Sequence, residues 1–202
     1  MAPYIAIEGC MGAGKTTLAR ELAKVIGAAL LLEESGRHPF IRDFYEAPEA
    51  YAVETEITFV LLHYHQIVKS KRSGLFEGAV VSDFALERDR LFAKLTLRES
   101  HDAELFNSVY LSLKERLPLV DVLIFLRAPT AFLLERMAKR GRDYERKISA
   151  DYVHRVNSTL ESFFAHEYSG RVIALDAVDL DVSRDPNYVR TVATYLDRPG
   201  VI

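Results

Sequence analysis

A glycine-rich stretch near the start of the chain has the residue types and spacing of a phosphate-binding loop. It fits the pattern Gly-x-x-x-x-Gly-Lys-Thr and consists of Gly9, Cys10, Met11, Gly12, Ala13, Gly14, Lys15 and Thr16. Glycines let backbone amides approach phosphate oxygens closely and adopt angles that other residues resist. We expect Lys15 to neutralise the β- and γ-phosphates of a nucleotide, and the Thr16 hydroxyl to ligate Mg²⁺.

The sequence around this loop supplies the context that phosphate binding requires. The apolar run at residues 4–8 predicts a β-strand before the loop, and residues 17–26 predict a helix after it. The loop amides and the positive end of the helix then converge on one anionic group. This context favours a nucleotide site over a chance glycine-rich turn. All of the loop except Cys10, together with Thr17, is expected to contact the nucleotide.

A second basic cluster lies in the later part of the chain and consists of Arg136, Lys139, Arg140 and Arg142. Arg136 and Arg140 are one helical turn apart, and Gly141 then lets the chain leave the helix. We therefore predict a short arginine-rich lid at about residues 137–148. Arg136 and Arg140 would bind the phosphate chain, while Arg140 and Arg142, with Lys15, would stabilise the transferring phosphoryl group. The alternative is an ordinary solvated helix end, where cations favour the helix dipole.

The elements that must position these groups follow an alternating pattern. Short apolar runs recur at residues 4–8, 29–33, 79–82, 122–126 and 172–175. Helix-like stretches separate them, which is typical of a parallel sheet covered on both faces. The pattern, with the P-loop after its first strand, predicts a doubly wound, five-stranded α/β domain of the P-loop type that comprises the whole of residues 1–202.

Composition and charge exclude several classes of protein. The 202 residues are 49% hydrophobic and 27% charged, which suits a packed core. A net charge of only −3 provides no overall field to attract nucleic acid or an anionic membrane, so we expect neither as a partner. One cysteine allows no intrachain disulfide, and no apolar run is long enough to span a bilayer. Without a recognisable signal peptide, a cytoplasmic location is expected.

A P-loop alone does not separate a kinase from a GTPase switch or a motor ATPase. The absence of an Asn-Lys-x-Asp segment weakens the GTPase interpretation. The arginine-rich lid favours phosphoryl transfer between bound molecules.

With the P-loop and lid in place, the sequence resembles the deoxynucleoside kinase family, especially its short bacterial members. The similarity covers nearly the whole chain and is carried by residues 4–9, the P-loop, and residues 31–34, 43–49, 82–84, 91–94 and 140–142. The resemblance implies transfer of the γ-phosphate of ATP, with Mg²⁺, to the 5′-hydroxyl of a deoxynucleoside. It also implies a homodimer formed by packing of long helices.

The resemblance implies that a carboxylate after the second strand is the general base for the 5′-hydroxyl. Glu34 is favoured by its position in the motif, and its neighbour Glu33 is the competitor. A carboxylate at this edge of an open α/β sheet faces the crevice where ligands bind. Strand alternation would direct the two side chains to opposite faces.

Further substrate and metal contacts are implied by matching positions. Tyr45 and Glu145 correspond to residues that hold the sugar 3′-hydroxyl, and packing of Tyr45 would favour deoxyribose. Asp83 is the expected partner of Thr16 around Mg²⁺. The animal enzymes have Glu-Arg where this chain has Asp83 and Phe84, so we expect Arg88 to substitute for the missing arginine near the 5′-hydroxyl.

The long helix predicted at residues 48–71 differs from the family pattern at positions expected to contact the nucleobase. Glu56 stands where the family usually has the glutamine that contacts the base edge, and His63 stands where an arginine is common. An ionised carboxylate only accepts hydrogen bonds, which matches N1–H and N2–H of guanine. We therefore expect a purine substrate, deoxyguanosine or deoxyadenosine, with deoxyguanosine preferred. A raised pKa would leave Glu56 protonated and restore a donor.

Two other functions are compatible with the same motifs. A nucleoside monophosphate kinase of the thymidylate type would need an extra basic residue for the phosphate of its acceptor, and Arg37 is the obvious candidate. A non-catalytic P-loop module would bind ATP without acceptor-dependent turnover.

Overall fold

A parallel sheet of five strands forms the centre of the fold, in the order β2-β3-β1-β4-β5. The computed structural model describes residues 2–179 and 186–196. The strands are β1 Tyr4–Gly9, β2 Ala29–Leu31, β3 Val80–Ser82, β4 Val122–Arg127 and β5 Val172–Asp176. Because the strands are parallel, their carboxyl ends share one edge, where ligand sites of open α/β sheets lie.

Helices cover both faces of this sheet, so the expected doubly wound α/β fold is confirmed. They are α1 Lys15–Ile26, α2 Ile41–Glu46, α3 Pro48–Arg72, α4 Glu87–Thr96, α5 Ser100–Lys114, α6 Thr130–Arg140, α7 Ala150–Ser162 and α8 Pro186–Leu196. Shorter 3-10 turns span Ser35–Arg37, Leu75–Glu77 and Asp143–Lys147, and a π-helical turn spans Phe163–Glu167. No helix within the described ranges is both long and apolar enough to cross a bilayer.

Local sequence signals account for several helix ends. The side chain of Ser149 accepts a hydrogen bond of 3.1 Å from the Tyr152 amide and so caps the N-terminus of α7. Pro48 begins α3, as its fixed φ favours. Pro186 likewise begins α8.

The central strands are buried along nearly their whole length. Every residue of β1 is buried, and so is every residue of β4 except Arg127. Continuous Ile, Leu and Val runs are typical of parallel strands covered on both faces. Glu8 is the exception in β1, because it is a carboxylate with no solvent exposure inside an apolar strand.

One face of α3 combines apolar and ionisable side chains. Its buried residues are Ala52, Thr55, Glu56, Val60, His63 and Ile67, which follow the helical period. Glu56 and His63 therefore lie on the same buried side of this helix. Each has only 2% of its surface exposed, so each depends on partners inside the protein.

Strand β2 is shorter than the sequence predicts, with consequences for the site. It ends at Leu31 rather than at residue 33, and a 3-10 turn begins at Ser35. The backbone N–H of Glu33 does not continue the sheet and donates to Asp83 Oδ1 at 2.7 Å. The alternation expected for Glu33 and Glu34 in a strand therefore does not apply to them.

Alanine substitutions at two leucines in and near β4 should differ clearly in their effect on stability. Leu123→Ala should lower the free energy of unfolding by about 2–5 kcal/mol, because Leu123 is fully buried and its loss leaves a cavity. Leu119→Ala, at a side chain that is 81% exposed, should change it by less than about 0.5 kcal/mol. Urea denaturation of both variants measures the difference, and equal effects would contradict this assignment of the core.

Candidate active site

The loop between β1 and α1 has the backbone conformation that its glycines permit. Gly9, Gly12 and Gly14 have φ values of +149°, +87° and +101°. A Cβ added to Gly12 would lie 2.7 Å from the carbonyl oxygen of Leu133, and one added to Gly9 would lie 2.8 Å from that of Leu126. Both the φ angles and the available space therefore require glycine at these two positions.

Lys15 and Thr16, the first residues of α1, place their polar groups at the mouth of this loop. Lys15 Nζ donates to the carbonyl oxygens of Gly9 and Cys10 at 2.7 and 3.2 Å. Thr16 Oγ1 donates to Asp83 Oδ2 at 2.5 Å. A hydroxyl and a carboxylate are the oxygen ligands that Mg²⁺ prefers when phosphates complete its shell, so this pair fits the ion.

A cavity of about 460 Å³ opens beside the loop, within the size range of small-molecule sites. The sequence-predicted site residues that line it are Met11, Gly12, Gly14, Lys15, Thr16, Thr17, Tyr45, Glu56, Asp83, Arg88, Arg136, Arg140, Arg142 and Glu145. The predicted residues that do not line it are Gly9, Ala13, Glu34 and His63. Gly9 and Ala13 are buried within or just behind the loop, where they shape its backbone.

The choice between the two glutamates after β2 is corrected by the structure. Glu34 lies outside the cavity, with 48% of its side chain exposed and an ion pair of 2.8 Å to Arg37. Glu33 lines the cavity and is only 19% exposed. The reason is the early end of β2: Asp83 holds the Glu33 backbone, and the 3-10 turn that follows directs Glu34 outward.

Two cations meet one oxygen of Glu33. Arg88 Nη2 lies 2.9 Å from Glu33 Oε1, and His63 Nε2 lies 3.3 Å from the same atom. Burial would raise the pKa of Glu33, but Arg88 and His63 hold it well below its usual range. Glu33 is therefore ionised, and the hydrogen bonds that the structure gives its carboxylate all end on Oε1.

His63 does not line the cavity, contrary to the expectation that it contacts substrate. Its Nδ1 lies 2.8 and 2.9 Å from the two carboxylate oxygens of Asp89, and its ring stacks on Phe84 at 4.6 Å between centroids. Burial would lower the pKa of His63, but Asp89 and Glu33 raise it to about 9. Asp89, the partner of His63, does line the cavity. No signal in the sequence pointed to Asp89, because it belongs to none of the motifs.

Glu8 is a second residue that the sequence analysis missed. Its Oε1 accepts a hydrogen bond of 2.6 Å from the Ala85 amide, which links the end of β1 to the segment that precedes α4. Burial raises its pKa to about 7, although Arg88 and Lys15 oppose the shift. The available signal was a carboxylate in an otherwise apolar strand.

Glu56 occupies the part of the cavity formed by α3 and α4. Its Oε1 accepts a hydrogen bond of 2.9 Å from Thr96, whereas its Oε2 has no hydrogen-bond partner among the described residues. The buried hydroxyl oxygen of the adjacent Thr55 also lacks a partner within that part of the chain. Burial raises the pKa of Glu56 to about 8. These two oxygens leave hydrogen-bonding capacity for a bound molecule.

The predicted lid brings its arginines to the same cavity. Helix α6 ends at Arg140, and Gly141 follows with φ +68°, as expected for a helix C-cap. Arg140 and Arg142 lie 2.6 and 3.6 Å from Glu145, which is mostly buried. A guanidinium nitrogen of Arg136 lies within 3.6 Å of the position that a Cβ on Gly14 would occupy, so Arg136 reaches over the loop.

Together these groups have the chemistry of phosphoryl transfer to an alcohol. A glycine loop with a lysine and several arginines suits a phosphate chain. An ionised carboxylate, Glu33, lines the same cavity and can accept a proton. The remaining wall, formed by aromatic side chains and Glu56, suits a flat polar ring.

Comparisons with known proteins agree with this chemistry. The family model for "Deoxynucleoside kinase" matches residues 5–197. Deoxyguanosine kinase of Bacillus subtilis (strain 168) is 34% identical over 161 residues, which cover 79% of this chain and 77% of the relative. Deoxyadenosine/deoxycytidine kinase of the same strain is 27% identical over 197 residues, covering 93% and 88%.

One solved structure is similar to this chain over nearly the whole length of both. Deoxyadenosine kinase from M. mycoides with bound dCTP superposes with a TM-score of 0.81 at 25% identity, covering 96% of this chain and 98% of that one. The similarity extends over the sheet, the P-loop and the lid, because the aligned region omits little of either chain. The match of the family model over residues 5–197 shows that this chain belongs to the deoxynucleoside kinase family.

Proposed function

We propose that this nucleoside kinase transfers the γ-phosphoryl group of ATP to the 5′-hydroxyl of a purine deoxynucleoside. The observation that carries the proposal is that one cavity contains the P-loop, the ionised Glu33 and the partly unpaired Glu56. A phosphate chain, an alcohol and a base each find a matching group there. Membership of the family supports nucleoside phosphorylation, and the purine, the donor and Mg²⁺ are the finer parts of the proposal.

The mechanism begins with charge at the phosphate end. The P-loop amides and Lys15 bind the β- and γ-phosphates, and Arg140 and Arg142 of the lid stabilise charge on the transferring group. Arg136 reaches the same region from α6. Mg²⁺ held by Thr16 and Asp83 would neutralise phosphate charge when bound.

Glu33 accepts the proton of the 5′-hydroxyl through Oε2. The O–H bond breaks, the 5′-oxygen bonds to the γ-phosphorus, and the bond to the β,γ-bridging oxygen breaks with its electrons leaving on ADP. In a loose transition state the hydroxyl becomes acidic only as the new P–O bond forms. A carboxylate of low pKa is therefore basic enough at that stage. Arg88, fixed against Glu33 Oε1, lies where a donor to the 5′-oxygen is needed.

Tyr45 and Glu145 are proposed to hold the sugar 3′-hydroxyl. Both line the cavity, and Tyr45 packs edge-on against Tyr152 with 6.4 Å between ring centroids. Glu145 already accepts hydrogen bonds from Arg140, so closure of the lid would couple sugar binding to the phosphate-binding arginines. This coupling supports a nucleoside with a free 3′-hydroxyl as the acceptor.

The homodimer and the cytoplasmic location implied by the sequence stay predictions. A second copy of this chain has an apolar surface available, because Leu61 of α3 and Leu105 and Leu111 of α5 are each more than 40% exposed. Helices α3 and α5 pack against one another, so these leucines lie on neighbouring elements.

The acceptor distinguishes this proposal from its alternatives. With Mg-ATP, the purified protein should convert deoxyguanosine and deoxyadenosine to monophosphates and leave deoxynucleoside monophosphates unchanged. Arg37, which a monophosphate kinase would need, is 71% exposed, pairs with Glu34 and lies outside the cavity. Chromatography of the four deoxynucleosides and their monophosphates after incubation measures the products. Turnover of the monophosphates alone, or binding of ATP without turnover, would contradict the proposal.

Two matched substitutions test which glutamate is the general base. Glu33→Gln should lower kcat by a factor on the order of a hundred or more while ATP binding is retained, because the proton acceptor is lost and the P-loop is untouched. Glu34→Gln, an identical change at the adjacent exposed residue, should leave kcat within about twofold of the original. Steady-state kinetics with calorimetric ATP titration measures both. The reverse pattern, with Glu34→Gln inactive and Glu33→Gln active, would restore the sequence-based choice.

The titration of Glu56 predicts how base preference changes with pH. Below its pKa of about 8, Glu56 offers one donor and one acceptor, which match adenine; above it, the carboxylate accepts from both guanine N–H groups. The ratio of kcat/KM for deoxyguanosine over deoxyadenosine should therefore rise on the order of tenfold between pH 6.5 and 9. Glu56→Gln should abolish this rise, since its amide does not titrate. A pH dependence that persists in Glu56→Gln would remove Glu56 from this role.

A further inference from the structure

A chain of four ionisable groups runs along the cavity wall; Glu33, Arg88 and Asp89 line the cavity, and His63 lies behind them. Asp89 contacts His63 at 2.8 Å, His63 contacts Glu33 at 3.3 Å, and Glu33 contacts Arg88 at 2.9 Å. Asp89 and Arg88 are neighbours in α4, His63 belongs to α3, and Glu33 follows β2. Each of the four side chains is less than 20% exposed, so these contacts replace solvation by water.

The geometry requires a particular protonation state of His63. Its Nδ1 faces the Asp89 carboxylate, and its Nε2 faces the Glu33 carboxylate. Neutral imidazole carries only one N–H, so one of the two contacts would place a lone pair against an anion. Imidazolium donates from both nitrogens and satisfies both carboxylates. His63 is thus a cation that bridges two acids.

The surroundings of His63 do not offer another explanation for its charge. Asp89 of α4 faces it from one side, and Glu33, which also pairs with Arg88, faces it from the end of β2. His38, which precedes α2, interacts with it more weakly and bonds the Thr55 carbonyl through Nε2. His63 also borders a smaller cavity whose lining includes the ionisable residues Glu34, Arg37, His65 and Lys69. The rings of Phe59 and Phe84 cover its faces at 5.8 and 4.6 Å between centroids. Within residues 2–179 and 186–196, the acids that contact its ring nitrogens are Asp89 and Glu33.

We propose that His63 is a positioning residue that, held as a cation by Asp89, fixes the rotamer and charge of Glu33. This inference rests on the proposed role of Glu33 as proton acceptor. His63 and Arg88 together occupy Glu33 Oε1, which leaves Oε2 for the 5′-hydroxyl. Phe84 stacks on His63, so the residue that replaces the arginine of the animal enzymes supports this arrangement.

A His63 cation that bridges Asp89 and Glu33 can be distinguished from a side chain that only fills space. A neutral amide at position 63 fills similar space and can satisfy one carboxylate, but it cannot donate to both as a cation. Removal of the positive charge leaves Glu33 with Arg88 alone. The carboxylate then gains freedom to rotate, and its proton-accepting oxygen is no longer held toward the cavity.

The test compares His63→Gln and Asp89→Asn with the original protein. His63→Gln should lower kcat at saturating substrates about tenfold or more and leave the KM for ATP within about twofold, since the P-loop is untouched.

The kcat of the original protein should fall as pH rises through about 9, where His63 loses its proton. In Asp89→Asn this fall should move to lower pH by about one unit or more, because the acid that raises the pKa is gone. In His63→Gln that part of the fall should be absent.

A second measurement requires neither catalytic activity nor a folded His63→Gln variant. NMR titration of the His63 ring in the intact protein should give a pKa near 9, lowered in both Asp89→Asn and Glu33→Gln. A His63 that titrates near its ordinary value, or a His63→Gln variant with unchanged kcat and an unchanged alkaline limb, would overturn the inference. Loss of turnover in Glu33→Gln together with those results would remove only the role of His63. Full turnover in Glu33→Gln would instead remove the proposed base itself.

Discussion

The carboxylate of Asp83 is the constraint on which the site depends. One oxygen accepts from Thr16 of the P-loop, and the other accepts from the Glu33 backbone. Asp83 follows β3, which lies between β1 and β2 in the sheet, so its position is set by strand pairing. A single side chain thereby fixes the position of the phosphate-binding loop relative to Glu33, the proposed proton acceptor.

Three buried glutamates show how one residue type acquires three states. Glu33 is held ionised because Arg88 and His63 outweigh the effect of burial. Burial raises the pKa of Glu8 to about 7, because Arg88 and Lys15 oppose the shift only in part. Burial raises the pKa of Glu56 to about 8, because the hydrogen bond from Thr96 opposes the shift only in part. The environment of each carboxylate, rather than its sequence context, decides its protonation state.

The sequence was sufficient for the fold and for the phosphate end of the site. Apolar runs and a P-loop between strand and helix are local signals, so the order of elements and the roles expected around Lys15 and Thr16 follow from adjacent residues. Which of Glu33 and Glu34 lines the cavity could not be predicted from spacing, because it depends on where β2 ends. That end is set by a hydrogen bond to Asp83, fifty positions away in the chain. His63, Asp89 and Glu8 likewise take their places through contacts between distant segments, which spacing along one helix or strand cannot reveal.

The central claim concerns which acid faces the acceptor hydroxyl, and a structure with ligands tests it most directly. Crystals of the protein with Mg²⁺, a non-hydrolysable ATP analogue and deoxyguanosine should place the 5′-oxygen about 2.6–3.2 Å from Glu33 Oε2. The γ-phosphate should lie over the P-loop, with Glu34 still paired to Arg37 at the surface. A 5′-oxygen within hydrogen-bonding distance of Glu34, or a Glu33 carboxylate turned away from the sugar, would contradict the account.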